Sequence, residues 1–316
     1  MSGPILIAGG TGLLGRALAR RLASAGREVV LLSRTAARAA APFDLPPGCR
    51  MAAWDGRTAA GWGGLASGAA AIVNLAGESI AGGRWTAARK ARIVSSRRQT
   101  TAAVVEAIAR AATPPRVLVQ ASAVGYYGDR ADEVLVETST PGEGFLAATA
   151  VAWEAASSPA ESYGVRRVIA RTGVVLAREG GAFPKMALPF RLGAGAVLGS
   201  GRQWMSWIHI ADEVEALAFL IDHPEARGAI NLTAPEPATQ TGFSRELAAA
   251  LHRPLFARAP AWTLRAAMGE MSELVLASQR VVPQRLLELG FRFRFPELAT
   301  ALADLTQRRQ EGPGRP

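Results

Sequence analysis

The chain opens on a short apolar run, Ile5 to Ala8, that ends in glycines and passes directly into an alanine- and leucine-rich stretch from Gly12 to Ala25. A run this short between turn residues predicts a buried strand, and the longer stretch predicts a helix. The alternation repeats. Glu28 to Leu32, Cys49 to Ala53, Ala70 to Leu75, Arg116 to Ala121 and Val165 to Ala170 predict further strands. Thr86 is a good N-cap for a long helix running to about Ala112, and Phe145 to Ala156 predicts another helix with Trp153 packed. Strand alternating with helix predicts a doubly wound parallel sheet.

The rhythm fades after residue 176. Lys185 to Leu192, Ala211 to Leu220 and Phe243 to Leu251 predict helices, Ala229 to Leu232 a strand, and Pro283 opens a short helix from Gln284 to Leu289. Phe291, Phe293 and Phe295 alternate as a strand-like aromatic face would. Residues 35–48 read as an Ala/Pro loop, and Asp129 to Thr140 as a polar, acidic surface flap. The expected fold is α/β: a Rossmann-type doubly wound parallel sheet over residues 1–176, to which later segments return, and a smaller α+β C-terminal substrate lobe, mainly over 177–303. Residues 304–316 are expected to be a disordered tail.

Composition narrows the function classes. The 316 residues are 49% hydrophobic and 20% charged, with a formal charge of +10. The excess charge is scattered, its densest cluster being Arg84 to Arg98. No zinc-finger, RNP or aromatic–basic pattern accompanies it, so no nucleic-acid partner is expected. One cysteine, Cys49, permits neither an internal disulfide nor a thiolate metal cluster and fits a reducing, cytoplasmic setting. The three histidines, His209, His223 and His252, form no metal-ligand spacing, so no metal is expected. Without a run of 18 apolar residues or a signal-peptide pattern, no membrane association is expected. A homodimer is left open.

The chemistry concentrates at strand ends. Gly9, Gly12 and Gly15 follow the first strand as GxxGxxG, with Gly10 as an extra glycine. Gly9 suits the tight turn, Gly12 the approach of a pyrophosphate, and Gly15 close packing of helix on strand, while the helix N-terminus offers free N–H groups to phosphate. After the second strand, where an NAD site usually places Asp or Glu, this chain has Ser33 and Arg34. A hydroxyl and a guanidinium suit a 2′-phosphate, so the expected cofactor is NADP(H); the alternative is an ordinary surface arginine. Trp54 and Asp55 lie where they can flank the base, although Asp55-Gly56 also reads as a turn. Lys90 and Arg97 are solvent-side or anion-facing positions of the long helix. Ser122 heads a strand-end loop containing Tyr126 and Tyr127, and these three are the candidate catalytic hydroxyls for moving a proton at a carbonyl. The other reading packs one tyrosine over the nicotinamide or substrate and turns the other to the core. Trp204, Met205 and Trp207 either line a substrate cleft or fill the lobe, and Asp212 sits in the first turn of a helix.

These segments carry a family resemblance. Gly9-Gly10-Thr11-Gly12-Leu13-Leu14-Gly15, Asn74-Leu75-Ala76-Gly77-Glu78, Ser122-Ala123-Val124-Gly125-Tyr126-Tyr127-Gly128 and Trp207-Ile208-His209-Ile210-Ala211-Asp212 resemble the short-chain dehydrogenase/reductase superfamily, in its atypical, extended branch of epimerase-family (sugar-nucleotide-epimerase-like) proteins. Arg280-Val281-Val282-Pro283 followed by Leu289-Gly290-Phe291 resembles the C-terminal domain appended in that branch. The resemblance spans about residues 3–303. It implies an extended NADP(H)-binding Rossmann domain, with Gly9, Thr11, Gly12, Leu13, Leu14 and Gly15 in the dinucleotide motif. It also implies Ser33 and Arg34 at the 2′-phosphate, Leu75, Ala76 and Gly77 beside a cofactor ribose, and Ser122 as the catalytic serine. The chain departs from the superfamily's YxxxK pair: aligned on Glu154, the two positions are Leu146 and Ala150, and Tyr163 is followed four places on by Arg167. The expected activity is an NADP(H)-dependent oxidoreductase of an unknown small carbonyl or alcohol. The alternatives are a regulatory or scaffold protein that binds NADP(H) without turnover, and a nucleotide-sugar epimerase.

Overall fold

The computed structural model describes residues 3–34 and 45–307, so most of the loop expected over 35–48 lies outside the described residues. The strands are β1 (Ile5–Ala8), β2 (Val29–Ser33), β3 (Cys49–Ala53), β4 (Ala71–Asn74), β5 (Val117–Ala123), β6 (Val134–Leu135) and β7 (Arg166–Thr172). Five short strands follow: β8 (Val174–Ala177), β9 (Gly180–Gly181), β10 (Ala196–Leu198), β11 (Trp204–Met205) and β12 (Trp207–His209). Then come β13 (Gly228–Leu232), β14 (Ala238–Thr239), β15 (Ala257–Ala259) and β16 (Arg280–Val281). The helices are α1 (Leu13–Ser24), α2 (Ala87–Arg110), α3 (Phe145–Ala156), α4 (Phe183–Arg191) and α5 (Ile210–Asp222). They continue as α6 (Gln240–Ala250), α7 (Ala261–Met268), α8 (Glu273–Leu276), α9 (Gln284–Glu288) and α10 (Leu298–Thr306).

The core is a seven-stranded sheet in the order β13-β7-β5-β4-β1-β2-β3, with every neighbouring pair parallel. Both faces are covered, which is why its strands read as unbroken apolar runs. The pleat divides them. Ile5, Ile7, Val29, Leu31, Val117 and Val119 cluster with Leu18 and Leu22 of α1 and Leu217 and Ile221 of α5. Leu6, Val30, Leu32, Ile72 and Leu118 cluster with Val104, Ala107 and Ile108 of α2 on the other face. Both β13 and α5, from beyond residue 176, belong to this layered core. The remaining C-terminal segments form a smaller lobe around Phe183, Phe190, Trp207, Phe243 and Leu302. The architecture is thus a Rossmann-like α/β core with a smaller lobe.

Four local features differ from the sequence pattern. Pairing between β5 and β7 continues through Ser122↔Arg171 and Ala123↔Thr172, so Ser122 lies inside a strand rather than in the loop after it. The flap over 129–140 is tied down: β6 pairs with β16, and the Glu137 carboxylate accepts the Asn231 and Arg285 N–H groups. Asp304 to Thr306, expected in the tail, complete α10, and residues 308–316 lie outside the described residues. The alternating Phe291, Phe293 and Phe295 form no strand. Phe291 and Phe295 enter separate apolar clusters, and the N–H groups of Arg294 and Phe295 donate to the Asp212 carboxylate at 2.7 and 2.9 Å instead of to a sheet.

Asp212, 1% exposed, therefore clamps the 291–295 segment onto the start of α5. Asp212→Ala leaves two buried donors without acceptors. It is expected to lower stability by about 1–3 kcal/mol, with faster hydrogen exchange at Arg294 and Phe295, measured by denaturant titration and amide exchange.

Candidate functional site

The turn after β1 forms a closed cradle with an open mouth. Gly9 has φ of +78°, and a Cβ there would sit 3.0 Å from the Ala76 backbone. A Cβ on Gly15 would lie 2.5 Å from the Gly9 carbonyl oxygen. Gly12 is exposed and caps α1 without any side-chain hydrogen bond; a Cβ there meets only the Gly9 oxygen, at 3.2 Å. Leu13 and Leu14 begin the helix, half-buried. Backbone thus fills the inner side, while the N-terminal N–H groups of α1 face outward, an arrangement that fits a dinucleotide pyrophosphate.

The flanks of the cradle follow. Ser33 ends β2, and its hydroxyl donates to Thr11 Oγ1 at 3.5 Å. Arg34 is exposed, its Cδ 3.5 Å from where Gly56 would carry a Cβ. Asp55 accepts the N–H groups of Arg57 and Thr58, and these bonds, Thr58 first, hold its carboxyl below the usual range. Asp55 therefore makes the turn that its Asp-Gly sequence also predicts. Trp54 is buried against Trp62 in the core. Leu75, Ala76 and Gly77 leave β4 along the edge of the glycine turn, with Gly77 exposed.

A second set of polar groups lies farther along the same sheet edge. Ser122, Arg171 and Asn231 are neighbours in register across β5, β7 and β13. All three are buried. The Ser122 hydroxyl donates to Glu154 of α3 at 2.6 Å, and Arg171 grips the same carboxylate with Nε and Nη2, both at 2.9 Å. Arg171 Nη1 donates to the Tyr127 oxygen at 3.0 Å, and the Tyr127 hydroxyl donates to Asn231 Oδ1 at 2.8 Å. Burial works against the Arg171 charge, but the Glu154 and Tyr127 contacts outweigh it and raise its pKa. Tyr127 is 0% exposed; burial raises its pKa despite Arg171. Tyr127 is accordingly sealed in the interior, with both hydroxyl functions engaged, and the Ser122 proton is engaged by Glu154. Tyr126 differs. Its ring faces the Arg171 guanidinium at 3.5 Å, it is half-buried, and its hydroxyl has no hydrogen-bond partner among the described residues and is not closed off from solvent.

Sequence reasoning missed Glu154, Arg171 and Asn231. Glu154 is the one charged residue of α3, Arg171 follows an apolar Val168–Ala170 run, and Asn231 is the one polar side chain of β13; only the fold brings them together. Leu146, which the sequence resemblance aligns with the first place of the YxxxK pair, lies on α3 next to Gly125, beside Tyr126. An open cavity of about 830 Å³ lies between Thr140–Gly144, ahead of α3, and Arg265, Glu270 and Glu273 near α7 and α8. Gly142 of its wall donates its N–H to the Tyr126 backbone oxygen. Trp207 is buried in the lobe core, while Trp204 is half-buried, donates to Asp132 and stacks with Arg280. The His209 ring caps α5, accepting the Ala211 N–H.

On the opposite face of β7, the Thr172 hydroxyl donates to Glu213 Oε1 at 2.9 Å, and Glu213 Oε2 has no partner among the described residues. Burial pushes this carboxyl up to about 8. The folded state therefore holds a proton that the unfolded chain releases near 4.5. This contribution to stability is complete below that value and is lost as pH rises toward and through about 8. Replacing Glu213 by Gln should flatten the decline, on the order of a few kcal/mol, between those limits. Urea titrations of both proteins across that pH range check it.

The sequence profile described as the NAD dependent epimerase/dehydratase family matches residues 5–232, and one for a domain of unknown function, DUF1731, matches residues 259–305. The chain is 38% identical over 311 residues to the epimerase family protein YfhF of Bacillus subtilis (strain 168), covering 95% of this chain and 97% of that protein. It is 39% identical over 307 residues to the epimerase family protein SDR39U1 of Bos taurus, covering 95% and 99%. The crystal structure of human epimerase family protein SDR39U1 (isoform2) with NADPH is similar with a TM-score of 0.84 at 36% identity, covering 96% of this chain and 99% of that one.

Proposed function

The chain belongs to the NAD dependent epimerase/dehydratase family, and from that premise we propose that it is an NADP(H)-dependent oxidoreductase acting on a small carbonyl or alcohol substrate. The observation that carries the chemistry is Tyr126, whose ring lies on the Arg171 guanidinium while its hydroxyl is unengaged by the described residues. The open N-terminus of α1 between Gly9 and Gly15 holds the cofactor pyrophosphate, and Ser33 and Arg34 hold its 2′-phosphate. The similar human protein solved with NADPH supports this choice.

When bound, the nicotinamide donates or accepts the hydride. Tyr126 supplies or removes the proton at the substrate oxygen. Ser122, Glu154 and Tyr127 position Arg171, and Arg171 in turn holds the tyrosine ring. The substrate occupies the cavity ahead of α3. The second reading, cofactor binding without turnover, is favoured by Leu146 and Ala150, neither of which can transfer a proton. A screen of carbonyls, alcohols and sugar nucleotides by nicotinamide absorbance separates the two readings.

Two outcomes are expected. Calorimetric titration gives NADPH an affinity about tenfold or more above that of NADH, as one charge-assisted contact supplies, and Arg34→Ala abolishes that preference. With a substrate in hand, Tyr126→Phe slows single-turnover hydride transfer by about a hundredfold or more and leaves NADPH affinity unchanged, whereas full-rate transfer would remove Tyr126 from the chemistry.

A further inference from the structure

Arg97 lies between the glycine cradle and the polar row. It stands on α2, and its side chain crosses to the loop after β4. Nη1 donates to the backbone oxygens of Glu78 and Ile93, each at 3.0 Å. The guanidinium carbon lies 4.7 Å from the Trp153 ring centroid on α3. A Cβ on Gly77 would come within 3.4–3.6 Å of Arg97 Cγ, Cζ and Nη1, so glycine leaves the guanidinium flat against the loop. Burial pushes its pKa down to about 10, with the Glu78 charge opposing; the group stays cationic at neutral pH. Nε and Nη2 bond to no acceptor among the described residues, and neither is sealed from solvent. The two backbone bonds and the tryptophan face thus fix the plane of the guanidinium and leave its Nε–Nη2 edge free.

The place of that edge follows from the loop. Gly9 abuts Ala76, so the loop beyond β4 borders the glycine turn, and Gly77 with Arg97 lies one residue farther on. A dinucleotide with its 2′-phosphate at β2 and its pyrophosphate at α1 would continue across β4 with the ribose of its other half. That ribose offers two adjacent hydroxyl oxygens. Two parallel N–H groups in a rigid plane suit a pair of adjacent oxygens, a geometry that an ammonium lacks. Trp153 follows Leu146 and Ala150 by seven and three residues and shares their side of α3. The guanidinium therefore stands against the helix face whose superfamily lysine is missing.

We propose that Arg97, through its free Nε–Nη2 edge, binds the vicinal hydroxyls of the ribose next to the nicotinamide, so that α2 supplies the cation that α3 lacks at Ala150. The inference rests on the cofactor reading above and deepens it. Arg97→Met keeps an apolar stem over Trp153 and removes the fork. Calorimetry of wild type and variant uses two ligands: NADPH, and adenosine 2′,5′-bisphosphate, which has no nicotinamide ribose. The expected result is an affinity loss of about tenfold or more for NADPH, with the bisphosphate unchanged. Arg97→Lys, which keeps the charge and loses the plane, is expected to fall between, and it carries the same comparison should the Met variant fail to fold. Unchanged affinity for both ligands overturns the inference and leaves Arg97 a packing residue. Equal losses for both overturn it by showing that the substitution disturbs the glycine turn. Retained NADPH affinity with a raised KM for anionic substrates overturns it in favour of a substrate anion at that edge. Wild-type protein that binds neither ligand defeats the cofactor reading itself, and this inference with it.

Discussion

A guanidinium cannot be buried without partners, because the lost hydration must be replaced by opposite charge and hydrogen bonds. Arg171 meets that requirement by drawing on three separate segments. Glu154 comes from α3, Tyr127 from the turn after β5, the Glu137 carbonyl from the segment that follows that turn, and Tyr126 covers the guanidinium face. Fixing one charge at the end of β7 therefore sets the placement of a helix, a turn and a flap at once. Ser122 adds a further bond to the same carboxylate, and the C-terminal lobe joins through Asn231, which accepts from Tyr127 and donates to the Val282 carbonyl.

The sheet edge is divided accordingly. Over β1 lies a pocket made of backbone, where glycines remove side chains that would block the helix N-terminus. Over β5, β7 and β13 lies a row made of hydrogen-bonded side chains. The first kind of surface suits a ligand recognised by its phosphates; the second holds the Tyr126 ring against Arg171. Arg97 and the Leu75–Gly77 loop join them, and α2 packs beside α3 so that Trp153 meets Arg97. The same helix face that carries Leu146 and Ala150 thereby gains a cation from its neighbour.

Electrostatic linkage also explains why the charges of α2 are not simply solvated. Arg89 and Arg92 pair with Glu78, and Lys90 pairs with Glu270 from the C-terminal lobe. The densest basic cluster of the sequence, Arg84 to Arg98, is therefore partly a seam between the core and the lobe. As pairs near the surface these contribute little stability each; their effect is to orient the start of α2 against the loop that follows β4.

Periodicity and glycine spacing were enough to read the layered sheet, its order of elements and the glycine turn after β1, because those depend on neighbours in the chain: a strand, a turn and a helix follow one another within Ile5 to Ser24. The parts of the site that join distant segments were not legible. Glu154, Arg171 and Asn231 lie in three elements far apart in the chain, and Ser122 and Tyr127 look like free hydroxyls until their partners arrive from α3, β7 and β13. The Phe291 to Phe295 alternation likewise reads as a strand until Asp212 takes its N–H groups. Local sequence determined which backbone shapes form, since dihedral preference and hydrophobic period act over a few residues. Only the tertiary structure decided which polar groups are spent on one another and which, such as the Tyr126 hydroxyl and the outer edge of Arg97, have no partner among the described residues, because desolvation and hydrogen bonding depend on what the fold brings within about 3 Å.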